Sequence, residues 1–189
     1  MHANLRHRPS RHLLAAGLAA CAMLTACAAN YSPTPAMVVP ATATGQQLDA
    51  LFVQRALQGQ MFAVAASQLA IEKNVNPATQ QYASLILENL RANGGVPPQL
   101  AQQLNLIAAP SALPAEEQKL AELRRAEGPD FDRMFASYVG VALPTEMVAL
   151  YDQAATMAAD QAVKDFAQSR TEIMRSQLRA GQALYERMY

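Results

Sequence analysis

From Gln46 onward, small and apolar residues recur at helical steps. Leu48, Phe52, Ala56, Gly59, Ala63, Ala66 and Ala70 fall three or four positions apart, which puts them on one face of an α-helix. No segment of the chain alternates apolar and polar residues convincingly enough to make a strand. Most of that first face is alanine or glycine, so a neighbouring helix can come close. Packed helices are what such a chain can build.

The punctuation divides the helical texture into pieces. A first helix is expected from Gln46 to Asn74, closed by Asn76-Pro77. Asn76 is suited to cap the next helix and Pro77 to open it. The second helix turns Tyr82, Leu85, Ile86 and Leu90 inward and stops at Gly94-Gly95. Residues 96–128 read as a more variable connection, broken by Pro97-Pro98, Pro110 and Pro114. Pro114-Ala115-Glu116-Glu117 looks like the start of a short helix with acids at its positive end. A third long helix is expected from Phe131 after the break at Gly128-Pro129-Asp130, with Pro144 removing one backbone bond and kinking it. The fourth runs from about Asp160 to Arg187 and buries Val163, Phe166, Ala167, Met174, Leu178, Gly181 and Leu184. This pattern predicts one all-α domain over residues 46–189, an antiparallel four-helix bundle with a short extra helix in its middle connection.

The N-terminus reads as an address. Arg6, Arg8 and Arg11 precede an apolar run from Leu13 to Leu24, and Leu24-Thr25-Ala26-Cys27 follows. That order of charge, apolar run and small residues is an export signal. The Leu-x-Ala-Cys ending resembles the lipobox of bacterial lipoproteins, which are cut before the cysteine and acylated on it. Residues 1–26 are therefore expected to be a lipoprotein signal peptide, with Cys27 the lipidated residue. Leu18-Ala19-Ala20-Cys21 fits the same pattern more loosely, and an uncleaved anchor is the structural alternative. Ala28, where a retained lipoprotein would have Asp, implies sorting to the outer membrane with the domain facing the periplasm. Residues 27–45 carry Pro33, Pro35 and Pro40 and no charge, the composition of a tether. Beyond the signal, no apolar run is expected to reach the ~18 residues that span a bilayer.

Removal of the signal narrows the chemistry. All three histidines, His2, His7 and His12, leave with it, and of 189 residues 163 remain once 26 are cut. Taking the three arginines from 15 basic residues leaves 12 against 15 acidic ones. A mild net negative charge without a basic cluster argues against nucleic acid as partner. Cys21 and Cys27 are the sole cysteines, so packing alone must hold the fold. A serine triad lacks its base and a cysteine nucleophile its thiol. Met61, Met134, Met147, Met157, Met174 and Met188 are dispersed, as core filler is, rather than clustered for Cu(I).

Several motifs in order resemble the exported bacterial family catalogued as domain of unknown function 4142. They are Phe52-Val53 with Ala56, Asn76-Pro77, Tyr82-Ala83, Phe131-Asp132-Arg133, Leu150-Tyr151, and Leu178 before Ala183-Leu184. The resemblance covers about residues 50–188 and implies a ferritin-like bundle. It also implies polar inner positions that this chain has changed. A glutamate usual in the first helix is Ala63, and an Asp-His pair in the second is Glu88-Asn89. A histidine of the third helix is replaced by Leu143-Pro144, and one of the fourth by Gln177. Ferritin-like di-iron sites need two Glu-x-x-His pairs, which a histidine-free chain lacks. No metal, cofactor or catalytic residue is therefore expected. Glu72, Glu88, Glu146, Asp152, Asp165 and Glu172 are expected on the solvated face.

Three polar residues stand apart. Asn89 continues the inward stripe of Tyr82 and Leu85, while Arg170 and Gln177 align with Ala167, Met174 and Gly181. Buried together they would form a hydrogen-bonded network that fixes helix register. The competing reading is a small polar pocket between helices. The expected role is a non-enzymatic binding or structural module, joined to the membrane by its lipid and to an unidentified envelope partner. The alternative is a small-ligand or metal binder with its site inside the bundle.

Overall fold

A computed structural model describes residues 43–73, 75–106 and 112–189. The expected signal peptide, Cys21, Cys27 and nearly all of the expected tether lie outside the described residues. What is described is all-helical, with no strand among those residues.

Helix α1 (Gly45–Glu72) starts one residue before its expected boundary, because Thr44 and Gln47 close a capping box. The Thr44 hydroxyl accepts the Gln47 N–H at 3.3 Å, and the Gln47 side chain accepts the Thr44 N–H at 2.8 Å. Helix α2 (Pro77–Asn93) is capped by Asn76, whose side chain accepts the Ala78 N–H at 2.9 Å. It ends at Gly94, whose φ of 69° suits a residue without Cβ. The middle connection holds two helices where one was expected, α3 (Pro98–Gln103) and α4 (Pro114–Arg125). Pro98 opens α3 at the first position, where its missing N–H is not needed.

The third long stretch runs without a break through α5 (Gly128–Phe135), a π-helical segment π1 (Ala136–Ala142) and α6 (Leu143–Met157). Pro144 does not interrupt it. The wide turn lies just ahead, where the Leu143 N–H reaches back five residues to the Tyr138 carbonyl. The Thr145 hydroxyl then donates to the Val141 carbonyl at 2.7 Å. This geometry explains a four-residue repeat too long for an ordinary helix. Phe131, Phe135, Val139, Leu143, Met147 and Tyr151 are all buried. Each four-residue step overshoots an α-helical turn by about 40°, so five steps would drift about 200° and carry Tyr151 to solvent. Across π1 each residue turns less, at ~4.4 residues per turn, and roughly 120° of that drift is recovered.

Helix α7 (Gln161–Met188) is capped by Asp160, which accepts the Ala162 and Val163 N–H groups. The four long stretches pack in cyclic order, α1 on α2, α2 on α7, α7 on π1 and α6, and α6 on α1. Phe52, Tyr151 and Phe166 form an aromatic cluster joining α1, α6 and α7, with centroids 5.1–6.3 Å apart. At the crossing of π1 and α7, Gly140 and Gly181 meet backbone to backbone, and a Cβ on Gly181 would collide with the Gly140 carbonyl. Beside it the Tyr82 hydroxyl donates to the Gln177 carbonyl at 3.1 Å and lies 3.4 Å from that of Val139.

Contrary to expectation, Gly128–Met157 is long and apolar enough to cross a membrane. Its large apolar residues Phe131, Phe135, Val139, Leu143, Met147 and Tyr151 are buried in the core instead, and it carries Asp132, Glu146 and Asp152 along its length. The adjoining helices account for its composition.

Candidate functional site

A cleft of about 90 Å³ opens between α1, α2, α6 and α7. The α1 side contributes Ala63 and Gln60, and the Gln60 side chain accepts the Val96 N–H at 3.0 Å, fixing the chain after α2. Leu143, Pro144 and Met147 form the α6 wall, with Tyr151 and Phe166 of the aromatic cluster beside it. Asn93 and Gly94 sit exposed at the margin.

Asn89, Arg170 and Gln177 all line this cleft, each half-buried rather than sealed in the core. The expected register network is not formed. Among the described residues, the side-chain amides of Asn89 and Gln177 hydrogen-bond neither to each other nor to another protein group. Arg170 extends across the Phe166 ring, 5.5 Å from its centroid, and its Nη2 donates to the Asn93 carbonyl at the end of α2. Its Nε is buried without a hydrogen-bond partner. Among the described residues Arg170 is also the single charged side chain lining the cleft, and no aspartate or glutamate reaches it. Burial pushes the Tyr151 hydroxyl up to about 12, while the positive charge of Arg170 pulls it the other way.

The charged groups that pair most tightly lie elsewhere. Buried Arg55 of α1 donates Nε and Nη2 to the two carboxylate oxygens of Glu146 on α6, at 2.5 and 2.8 Å. Its Nη1 donates to Glu116 of α4 at 2.8 Å. Burial lowers the Arg55 pKa, but hydrogen bonds and charge from Glu146 and Glu116 more than offset it, leaving it above its ordinary value. Glu146 is therefore a half-buried member of an ion triad, not part of a solvated face. Glu72, Glu88, Asp165 and Glu172 are exposed, and Asp152 is half-buried and paired with Arg175.

Two further buried carboxylates have structural partners. Asp49 accepts the Ala159 and Asp160 N–H groups at 3.1 and 2.7 Å, holding the start of α7. Asp132 accepts the Thr79 hydroxyl at 2.6 Å. Among the described residues no three His, Cys, Asp or Glu side chains converge as a metal site would require. Sequence reasoning passed over Arg55 and Asp49, although both lie on the α1 face of Phe52 and Ala56. A charge interrupting an apolar stripe was the available signal.

The fold and cleft thus define, over the described residues, an all-helical domain with a small cavity between its long helices. The chain belongs to the family described as "Domain of unknown function (DUF4142)", which it matches over residues 34–184. That match begins upstream of the expected start, inside the expected tether. No curated protein and no solved structure matches the chain.

Proposed function

We propose that this protein is an outer-membrane lipoprotein, anchored through Cys27 and facing the periplasm, whose antiparallel, ferritin-like four-helix bundle binds a small ligand without catalysing a reaction. The cyclic packing of the four long stretches supports the bundle. The cleft beside Asn89 and Gln177 carries the ligand-binding reading, because an interior binder needs such a cavity and a pure interaction module does not. The large exposed apolar residues, Met61, Ile71, Met157, Tyr185 and Tyr189, are spread over α1, the end of α6 and the C-terminal end of the chain. They favour a docking face less.

Most positions at which the family resemblance implies changed residues support the same reading. Glu88 is exposed and lies outside it, whereas Ala63, Asn89, Leu143, Pro144 and Gln177 border this one cleft. We read it as a binding site in which metal donors have given way to small, apolar and amide side chains. Native mass spectrometry of the full lipoprotein, gently extracted from its own envelope, tests this. A bound small-molecule adduct that disappears in Ala63→Leu is expected. The mass of the acylated mature chain alone would overturn the reading. In parallel, Cys27→Ser should abolish palmitate labelling and membrane retention, and labelling that persists would move the lipid to Cys21.

A further inference from the structure

We propose that the cleft selects a small organic monocarboxylate, held through its carboxylate by Arg170 with its short apolar body against Ala63, Leu143 and Met147. The inference rests on the ligand-binding reading above and names the class of ligand.

The chain contains its own template for the contact. Arg55 grips Glu146 side-on, with Nε and Nη2 each donating to one carboxylate oxygen. Arg170 lines the cleft; its Nε is buried without a partner and its Nη2 reaches the Asn93 carbonyl. Nη2 carries two N–H bonds, so it can keep Asn93 and still serve a ligand oxygen. Among the described residues Arg170 forms no ion pair, and no acidic side chain lines the cleft to neutralise it. A partly desolvated guanidinium with an empty Nε favours an anion, and a planar two-oxygen head matches its fork.

The rest of the cleft narrows the class. A phosphate dianion would want a second cation or a cluster of backbone N–H groups, and among the described residues Arg170 is the single cation in the lining. Asn89 and Gln177 offer neutral amides, and the α6 wall is apolar. The volume of about 90 Å³ is smaller than a cavity that encloses benzene, so the body held inside the cleft is one of a few carbons.

The test compares butyrate with butyramide at millimolar concentration on the full chain in a neutral detergent, by ligand-observed saturation transfer and by the melting temperature. Butyrate should bind and raise the melting point, and butyramide should bind at least roughly tenfold more weakly. Arg170→Gln should remove that preference, and Arg170→Lys should restore it only in part, because a point charge lacks the fork. The comparison of the two probes on the unaltered protein stands even if a variant folds poorly. Equal binding of both probes, lost in Ala63→Leu, overturns the carboxylate assignment while leaving the ligand-binding cleft intact. Phosphate binding more tightly than butyrate overturns it as well. If neither probe binds, the carboxylate assignment fails, and the adduct found or missed by native mass spectrometry decides the broader reading separately.

Discussion

Replacing Arg55 by Met should be among the most damaging single changes in the domain, and the reason lies in which carboxylate it strands. The side chain of Glu116 is 5% exposed and that of Glu146 35%. Without the guanidinium Glu146 can turn toward water, whereas Glu116 keeps, among the described residues, only the Leu113 N–H at 3.5 Å. Breaking a buried pair from one side costs about 3–5 kcal/mol, or about 6–20 °C in melting temperature for a domain of this size. The net worth of the triad is much smaller than that cost, because all three charges lose hydration on folding. Arg55→Met with Glu116→Gln should therefore recover more than half the loss. Thermal melting of the two single variants and the double, followed by helical circular dichroism, completes the cycle. If Arg55→Met melts like the parent, or if the double loses the sum of the two single losses, the stranded-charge argument is wrong.

Three other outcomes follow from the same packing. Gly181→Ala should cost roughly 1–3 kcal/mol, because its Cβ meets the Gly140 backbone, which cannot swing aside. Gly140→Ala, whose Cβ would lie 3.1 Å from the Gly181 carbonyl, should cost less. Equal losses in urea unfolding would mean that π1 and α7 slide apart freely. Asp49→Ala should lose about 1–3 kcal/mol by leaving the Ala159 and Asp160 N–H groups ahead of α7 without their partner, and Asp49→Asn less; hydrogen exchange at Ala159 and Asp160 reads the effect directly, and unchanged protection there would refute it. Stability should also fall between about pH 10, where unfolded tyrosines ionise, and about 12, where burial holds the Tyr151 hydroxyl. The raised folded pKa means that the unfolded chain releases its protons first, so unfolding gains as pH climbs. Burial raises Tyr82 in the same direction. Tyr82→Phe or Tyr151→Phe should flatten the alkaline limb, and a limb of unchanged slope in both would show that these hydroxyls do not drive it.

Helix positions were legible where local chemistry sets them. Asn76-Pro77, Gly94 and Asp160 mark starts and stops through groups within a few residues, and the structure uses each of them. Legibility failed where a partner distant in sequence decides. Pro97-Pro98 reads as a breaker, yet Pro98 stands at the first position of α3, where proline is tolerated. Pro144 reads as a kink, but the strict four-residue repeat from Phe131 to Tyr151 held the better clue, since only a wider turn keeps such a row on one side. The role of Arg55 was not legible because its two carboxylates lie 61 and 91 positions away. The stripe spacing drew Asn89, Arg170 and Gln177 together, but not that the amides would leave each other unpaired. That depends on the gap between α2 and α7, which no local pattern specifies.

The gap and the tight crossing have one origin. Glycines at 140 and 181 pull π1 and α7 to backbone contact, and the Tyr82 hydroxyl ties α2 to the Gln177 carbonyl beside them. With the helices fixed there, any level lined by small side chains is left underfilled. On α1 that level is Ala63; across from it stand the short amide of Asn89 and the ring of Pro144. A cleft left unfilled between helices forgoes packing contacts, and an unpartnered buried guanidinium nitrogen beside it adds a desolvation penalty. A chain selected for rigidity alone would fill the space with leucine and give Arg170 an acidic neighbour. Keeping both costs makes physical sense when an occupant offsets them together, through an apolar body that fills the volume and an anionic head that completes the fork.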